Sequence, residues 1–399
     1  MKKGTVKARR VGTYLVGQDL LAYPQELEDD LRDCGLPADE RAQVFTVAWE
    51  YVRCAVPEFT NWGRYLAFTR LTVLTTVAEY RGHLVDMRKC MTPGETVLGY
   101  NVPELLDTLF AGTGVHDEMA REYTSSVLFM AEKARDRQSV LWRRHAEAFA
   151  LSPVDYLRLR DCDAQVRFFV ASALACNNLV PTFSEEQYRA IADIGVTLYD
   201  AVAFYKHRAE GEIANLYAYC GQDIEFRKAA YRDHRSTLWV LETQWCRSVA
   251  GRCAVNVVKQ LPLVHMSMRR YRYVEDGLTI GKPESDAVVA QARANVKLWY
   301  RKETEQGLIF PQRSWADDRD AMAAVSDLLY PGLEATLVRT VEEFCKRCVR
   351  HPIYGARGEA GMFGGVDVCD KCRQAWRAYV LSSGRRHAQA LSLPYEELA

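Results

Sequence analysis

Between about Arg41 and Thr340 the apolar residues recur at intervals of three and four, the period of a helix with one buried stripe, while alternating runs and β-turn dipeptides are scarce. This pattern predicts an all-α protein. WGRYLAFTRLTVLTTVAEYRGHLVDM, HDEMAREYTSSVLFMAEKARDRQSVLWRRHAEAF and SEEQYRAIADIGVTLYDAVAFYKHRAEGE all run well past the three to four turns of an average helix, and helices of that length form bundles. LTVLTTVA and VRFFVASALA are apolar round most of their circumference, which suits inner helices around a thick core or a cavity. Breaks are marked by GLPADE before the first helix, CMTPGE after Cys90, LSPVD at Leu151, LVPTFSEE with Ser184 as a cap, and IGKPESD after Ile280.

The chain of 399 residues is expected to hold one helical body, 1–340, and an appendage, 341–399, packed on it. Lysine plus arginine equals aspartate plus glutamate at 52 each, so no global field favours nucleic acid or a membrane surface, and an anionic ligand must be met locally. MKKGTVKARRVGTYLVG is basic but has no apolar stretch, and no later run of roughly 18 apolar residues follows, so the expected setting is cytoplasmic with reduced thiols. Of 12 cysteines, eight are scattered through periodic segments. The other four form Cys345-x-x-Cys348 and Cys369-x-x-Cys372, with twenty residues between the pairs, the spacing of a closed tetrahedral zinc site that stabilises rather than catalyses. Lys346, Arg347, Arg350, Lys371 and Arg373 also allow a zinc module that binds nucleic acid or a protein partner.

Charge placed among apolar neighbours is costly unless paired or metal-bound, and four places in the body show it. Glu79, His83 and Asp86 lie at i, i+4 and i+7 and could hold a hard cation, or form an ordinary solvated helix end. Arg160 and Arg167 share a face bridged by Asp163, as a diphosphate site or as an interhelical ion-pair network. Asp200 and His207 lie at i and i+7 and form, with Lys206, Arg208, Glu210 and Glu212, one mixed group that could serve magnesium and phosphate together, or a solvated helix end with ordinary pairs such as Lys206 with Glu210. Arg269, Arg270 and Arg272 alternate with Tyr271 and Tyr273, a pattern that fits a diphosphate clamp better than a base-stacking module. An apolar fifteen-carbon chain carrying a diphosphate would satisfy all of these. Magnesium would neutralise the leaving group, with Glu79, Asp86, Asp200 and Glu210 as candidate ligands. Trp62, Tyr65, Phe68, Phe204, Met266 and Trp299 are candidate walls of a dry pocket, each of them also plausible as plain core.

The strings EFTNWGRYLAF, AEYRGHLVDM, HDEMAREY, RDCDA, ASALACN, LYDAVAFYKHRAEGE, MRRYRYVE, LTIGK and CDKC resemble the atypical fungal sesquiterpene cyclases, a family that includes α-ionylideneethane and α-humulene synthases. The match spans Leu36 to Trp376. The resemblance implies a class I terpenoid-synthase-like bundle, a magnesium-dependent lyase acting on farnesyl diphosphate, and a small isoprenyl diphosphate as its partner. Catalytic weight would fall on Glu79, Asp200 and His207, and diphosphate binding on Arg160, Arg167, Lys206 and the Arg269 to Arg272 cluster. No DDxxD is present, and the usual second metal motif would fall on Tyr199, Ala203 and His207, or on Asp200, Phe204 and Arg208, neither of which supplies three oxygens. Fewer ions than usual are therefore expected. The first expectation for the product is α-humulene, with α-ionylideneethane or a brasilane-type sesquiterpenol as alternatives. A homodimer is compatible with this reading, and a non-enzymatic zinc-knot adaptor is the rival from another class.

Overall fold

The computed structural model describes residues 9–11, 14–16, 23–90, 92, 94–136, 139–180, 183–210, 212–267, 314–351 and 365–393, except the side chains of residues 9–11, 14–16, 87, 88, 205, 206, 209, 210 and 264–267. Apart from two short two-stranded ladders, Arg9–Val11 with Tyr14–Val16 and Val349–Arg350 with Val366–Asp367, the regular structure of these residues is helical.

The bundle is built from α1 (Ala38–Ala55), α2 (Trp62–Tyr80), α3 (Met87–Cys90), α4 (Val102–Phe110), α5 (His116–Arg135), α6 (Val140–Phe149), α7 (Pro153–Ala164), α8 (Val166–Cys176), α9 (Glu185–Glu210), α10 (Tyr217–Cys220), α11 (Ile224–Trp245) and α12 (Val249–Ser267). After the undescribed stretch come α13 (Trp315–Ala323), α14 (Leu333–Glu342), α15 (Asp370–Leu381) and α16 (Ser383–Ala390). Helix α12 packs along α9, α1 and α8, α2 lies against α1, α4 and α5, and α7 meets α9 and α5. The ends follow local rules: Asn61 caps α2, Ser152 caps α7 ahead of Pro153, and Ser184 and Gln187 bond reciprocally in the box expected at Ser184.

Every residue of α8 is buried, as its sequence predicts. Helix α2 is almost as enclosed although it carries four threonines, because the hydroxyls of Thr69, Thr72, Thr75 and Thr76 each donate to the carbonyl four residues earlier.

Two helices stop before the periodicity does. α2 ends at Tyr80, and the turn Gly82–Leu84 follows. A Cβ on Gly82 would stand 2.8 Å from the Ala131 carbonyl carbon and closer still to its oxygen, so backbone meets backbone there and the helix cannot continue. The second break is Gln165, which adopts the left-handed conformation at φ 56° and divides α7 from α8. The long segment beginning at His116 also divides, with Ser139 capping α6.

Candidate active site

A cavity of about 120 Å³ lies between α1, α2, α5, α7, α8, α9 and α12. Its lining is part apolar, with Tyr51, Met130, Phe169 and Leu261, and part polar, with Glu79, Lys133, Arg160, Asp163, His207 and Glu212. The volume is below the roughly 300–1,000 Å³ of ordinary ligand pockets, and charged pairs occupy its polar end.

Arg160 organises that end from α7. Its Nε and Nη2 donate to Asp200 Oδ1 at 3.3 and 3.1 Å, and its Nη1 donates to Asp163 Oδ2. Asp200 is fully buried behind it, where its second oxygen accepts from the Tyr156 hydroxyl and from the Leu216 N–H at 2.8 Å. Burial pushes the Asp200 carboxyl up, while Arg160, Tyr156 and Leu216 hold it down. Burial also opposes the Arg160 charge, but Asp200 and Asp163 outweigh it and keep the guanidinium well above its ordinary value. The Tyr199 ring lies 5.2 Å from the guanidinium carbon.

Lys133, from α5, is 6% exposed, with its Nζ 3.2 Å from Glu212 Oε2 and 3.9 Å from Asp163 Oδ1. His207 is buried in the same lining, and Asn215 joins it to the Asp200 backbone: its Nδ2 lies 3.0 Å from His207 Nδ1 and 2.9 Å from the Asp200 carbonyl oxygen. Two cations and three carboxylates thus share one lining with apolar side chains, which can receive an anionic head with an apolar body attached.

The family described as alpha-ionylideneethane synthase aba3 matches residues 19–393. The chain belongs to this family. The alpha-ionylideneethane synthase aba3 of Botryotinia fuckeliana (strain B05.10) is 42% identical over 366 residues, 91% of this chain and 81% of that one. The alpha-ionylideneethane synthase abl3 of Leptosphaeria maculans is 39% identical over 376 residues, 94% of this chain and 86% of its own length. The abl3 of Pyricularia oryzae (strain Y34) is 36% identical over an alignment of 430 positions, 92% of this chain and 82% of its own. The resemblance read from the motifs therefore holds.

Of the residues singled out from the sequence, Glu79, Arg160, Asp163, His207 and Glu212 line the cavity. Glu79 does not share its helix face with His83 and Asp86, both of which are exposed beyond the end of α2. Asp200 stands behind Arg160 as its anchor. Arg167 is turned away by the break at Gln165: its Nε donates to Asp161 at 2.8 Å and its Nη1 to Glu185 at 2.7 Å, so the interhelical ion-pair alternative describes it. Asp163 meets Arg160 and Lys133 rather than bridging the two arginines.

The expected wall residues spread out. Trp62 is 39% exposed. Tyr65 donates to the Val56 carbonyl at 3.0 Å within an aromatic group with Trp49 and Phe59. Phe204 lies against the Arg227 guanidinium at 3.8 Å, and Phe68 supports the cavity from behind, its ring edge-on to Phe169 at 4.8 Å. The side chains of Lys206, Glu210 and Met266, and all of Arg269, Arg270, Tyr271, Arg272 and Trp299, lie outside the described residues.

Lys133 was missed, although a signal existed. It continues the stripe Met119, Tyr123, Ser126, Met130, which is buried throughout, so it is a charge at a core position. Tyr156, Gln165 and Asn215 carried no comparable mark.

The cysteine expectation holds in geometry. Cys345, Cys348, Cys369 and Cys372 bring their sulfurs within 4.8 Å of one another, a thiolate set able to hold a soft tetrahedral ion. Cys369 is also the N-cap of α15, and from that helix buried Trp376 packs on Tyr156 at 5.4 Å and on Tyr219 at 5.5 Å. No helix of the described residues is long and apolar enough to cross a membrane.

Proposed function

We propose that this chain is a sesquiterpene cyclase that cleaves the carbon–oxygen bond of farnesyl diphosphate, releases diphosphate and closes the fifteen-carbon allylic cation into a cyclic hydrocarbon. The observation that carries the reading is Arg160, a buried and doubly anchored guanidinium in a lining of carboxylates and apolar side chains. Its forked donors suit a phosphate oxygen, and its fixed position lets it stabilise charge as the leaving group departs. Tyr51, Phe169 and Tyr199 offer π faces to a cation and keep water from it.

The carboxylates of Glu79, Asp163 and Glu212 are the oxygen donors that magnesium prefers, though Asp163 and Glu212 are engaged with Arg160 and Lys133. These three residues would hold the ion together with diphosphate oxygens, and magnesium, when bound, would neutralise the leaving group. His207 suits a polar contact better than a magnesium bond. The Arg269 to Arg272 cluster remains proposed as a second hold on diphosphate. Zinc at the four cysteines and a cytoplasmic setting belong to the same reading.

The relatives' names move the preferred product from α-humulene to α-ionylideneethane. Purified protein supplied with farnesyl diphosphate and magnesium should release diphosphate and a cyclic volatile, seen by mass spectrometry. Release of farnesol alone, or no turnover, would overturn the reading.

A further inference from the structure

We propose that Lys133 is the displaceable cation of the cavity: it captures the diphosphate, and Glu212 occupies it until the anion arrives. The inference rests on the reading above that an isoprenyl diphosphate enters here, and it adds a residue to which no role has been given.

An ammonium has three N–H donors. Among the described residues, Glu212 Oε2 at 3.2 Å is the one acceptor within hydrogen-bond range of Lys133; Asp163 at 3.9 Å contributes charge alone, and the Trp142 ring lies 5.7 Å away. A buried ammonium with donors in reserve is costly unless something else completes it. Arg160 differs: three of its five N–H groups donate to two carboxylates, Asp163 and Asp200, which fix it from both sides. The two cavity cations therefore divide the work. Arg160 is held rigidly by two carboxylates, and Lys133 is held by one hydrogen bond.

Glu212 is the group that exchanges. It lies in the non-helical stretch between α9 and α10, where the Ala214 N–H donates to its Oε1 at 3.2 Å while Oε2 faces Lys133. A carboxylate carries one negative charge and a diphosphate carries more, so the same ammonium, in the lining of a cavity of about 120 Å³, favours the diphosphate. No covalent bond changes in this step.

The test is calorimetric titration of the full-length protein with inorganic diphosphate, with and without magnesium, for wild type, Lys133→Met, Glu212→Gln and the double variant. Lys133→Met should weaken binding by at least about tenfold. Glu212→Gln should tighten it several-fold when magnesium is absent, because the competitor is gone. A merely structural pair would not produce that opposite sign. The double variant removes both charges of the Lys133–Glu212 pair and should still bind as weakly as Lys133→Met, and a melting curve measured on each variant keeps a folding defect from hiding the answer.

The proposal is overturned if wild type does not bind diphosphate, if the double variant binds it normally, or if Glu212→Gln weakens magnesium-free binding. Farnesyl diphosphate turnover separates the two readings. A wild type that binds diphosphate through Lys133 yet never turns over refutes cyclisation alone, while turnover with normal diphosphate binding by Lys133→Met refutes Lys133 alone.

Discussion

Replacing Asp200 by alanine should unfold the protein rather than merely silence it. The carboxylate has no exposed surface and receives four hydrogen bonds, two from Arg160, one from Tyr156 and one from the Leu216 N–H. Its loss leaves Arg160 with Asp163 as its remaining acid at hydrogen-bond range and strips the Tyr156 hydroxyl and the Leu216 amide of their acceptor. Breaking a buried ion pair from one side costs roughly 3–5 kcal/mol. Each orphaned donor adds about 1–3 kcal/mol, and the terms overlap because they share one network. A total of roughly 5–8 kcal/mol is comparable to the whole stability of many domains, about 5–15 kcal/mol. Urea unfolding followed by circular dichroism measures it. Asp200→Asn keeps the shape and part of the bonding and should lose less. If Asp200→Ala unfolds within about 1 kcal/mol of wild type, the ordinary range of harmless substitutions, then Arg160 is not held as described. Unchanged stability with lost magnesium affinity would restore Asp200 as a metal ligand.

Three further outcomes are expected. Glu79→Gln should stay folded and lose roughly a hundredfold or more in diphosphate release, which corresponds to about 3 kcal/mol of barrier; near-normal magnesium-dependent turnover would remove Glu79 from the chemistry. His145 is stacked on Phe129 at 3.9 Å, and burial first, then the Lys133 charge, lowers its pKa to about 3. Its folded pKa lies below the free value of about 6.5, so its stabilising contribution is complete above pH 6.5 and is lost as pH falls towards 3, at up to about 1.4 kcal/mol per pH unit; melting curves of His145→Phe should be flatter across that window, and an unchanged slope would refute the assignment. Metal analysis should find about one zinc per chain, and a strong chelator should lower the melting temperature, so loss of turnover at unchanged melting would contradict a structural knot.

The helical body was legible because a period of 3.6 persists whatever the exact boundaries, and the cysteine spacing was legible because two Cys-x-x-Cys turns have few other uses. Local breaks were not. The apolar rhythm runs on through Gly82, and only the approach of the Ala131 backbone explains why α2 stops there. Neither glycine nor proline marks Gln165, yet its left-handed backbone sends Arg160 and Arg167 to different partners. Asp200 read correctly as a charge inside a core, but a sequence cannot say whether such a charge faces a cavity or the arginine beside it. Lys133 was open to the same argument that found Arg160, had the stripe of α5 been followed to its last turn.

The stacking of Trp376 on Tyr156 bears on how such a protein can be altered over time. Tyr156 bonds Asp200 and Asp200 fixes Arg160, so a helix that begins at one of the clustered cysteines props the guanidinium from behind. The tail is then no module to be shed or traded. A chimera that borrowed this segment from a relative with a differently shaped ring contact would inherit a loosened arginine without any change in the cavity wall, and tail and bundle would have to diverge in step.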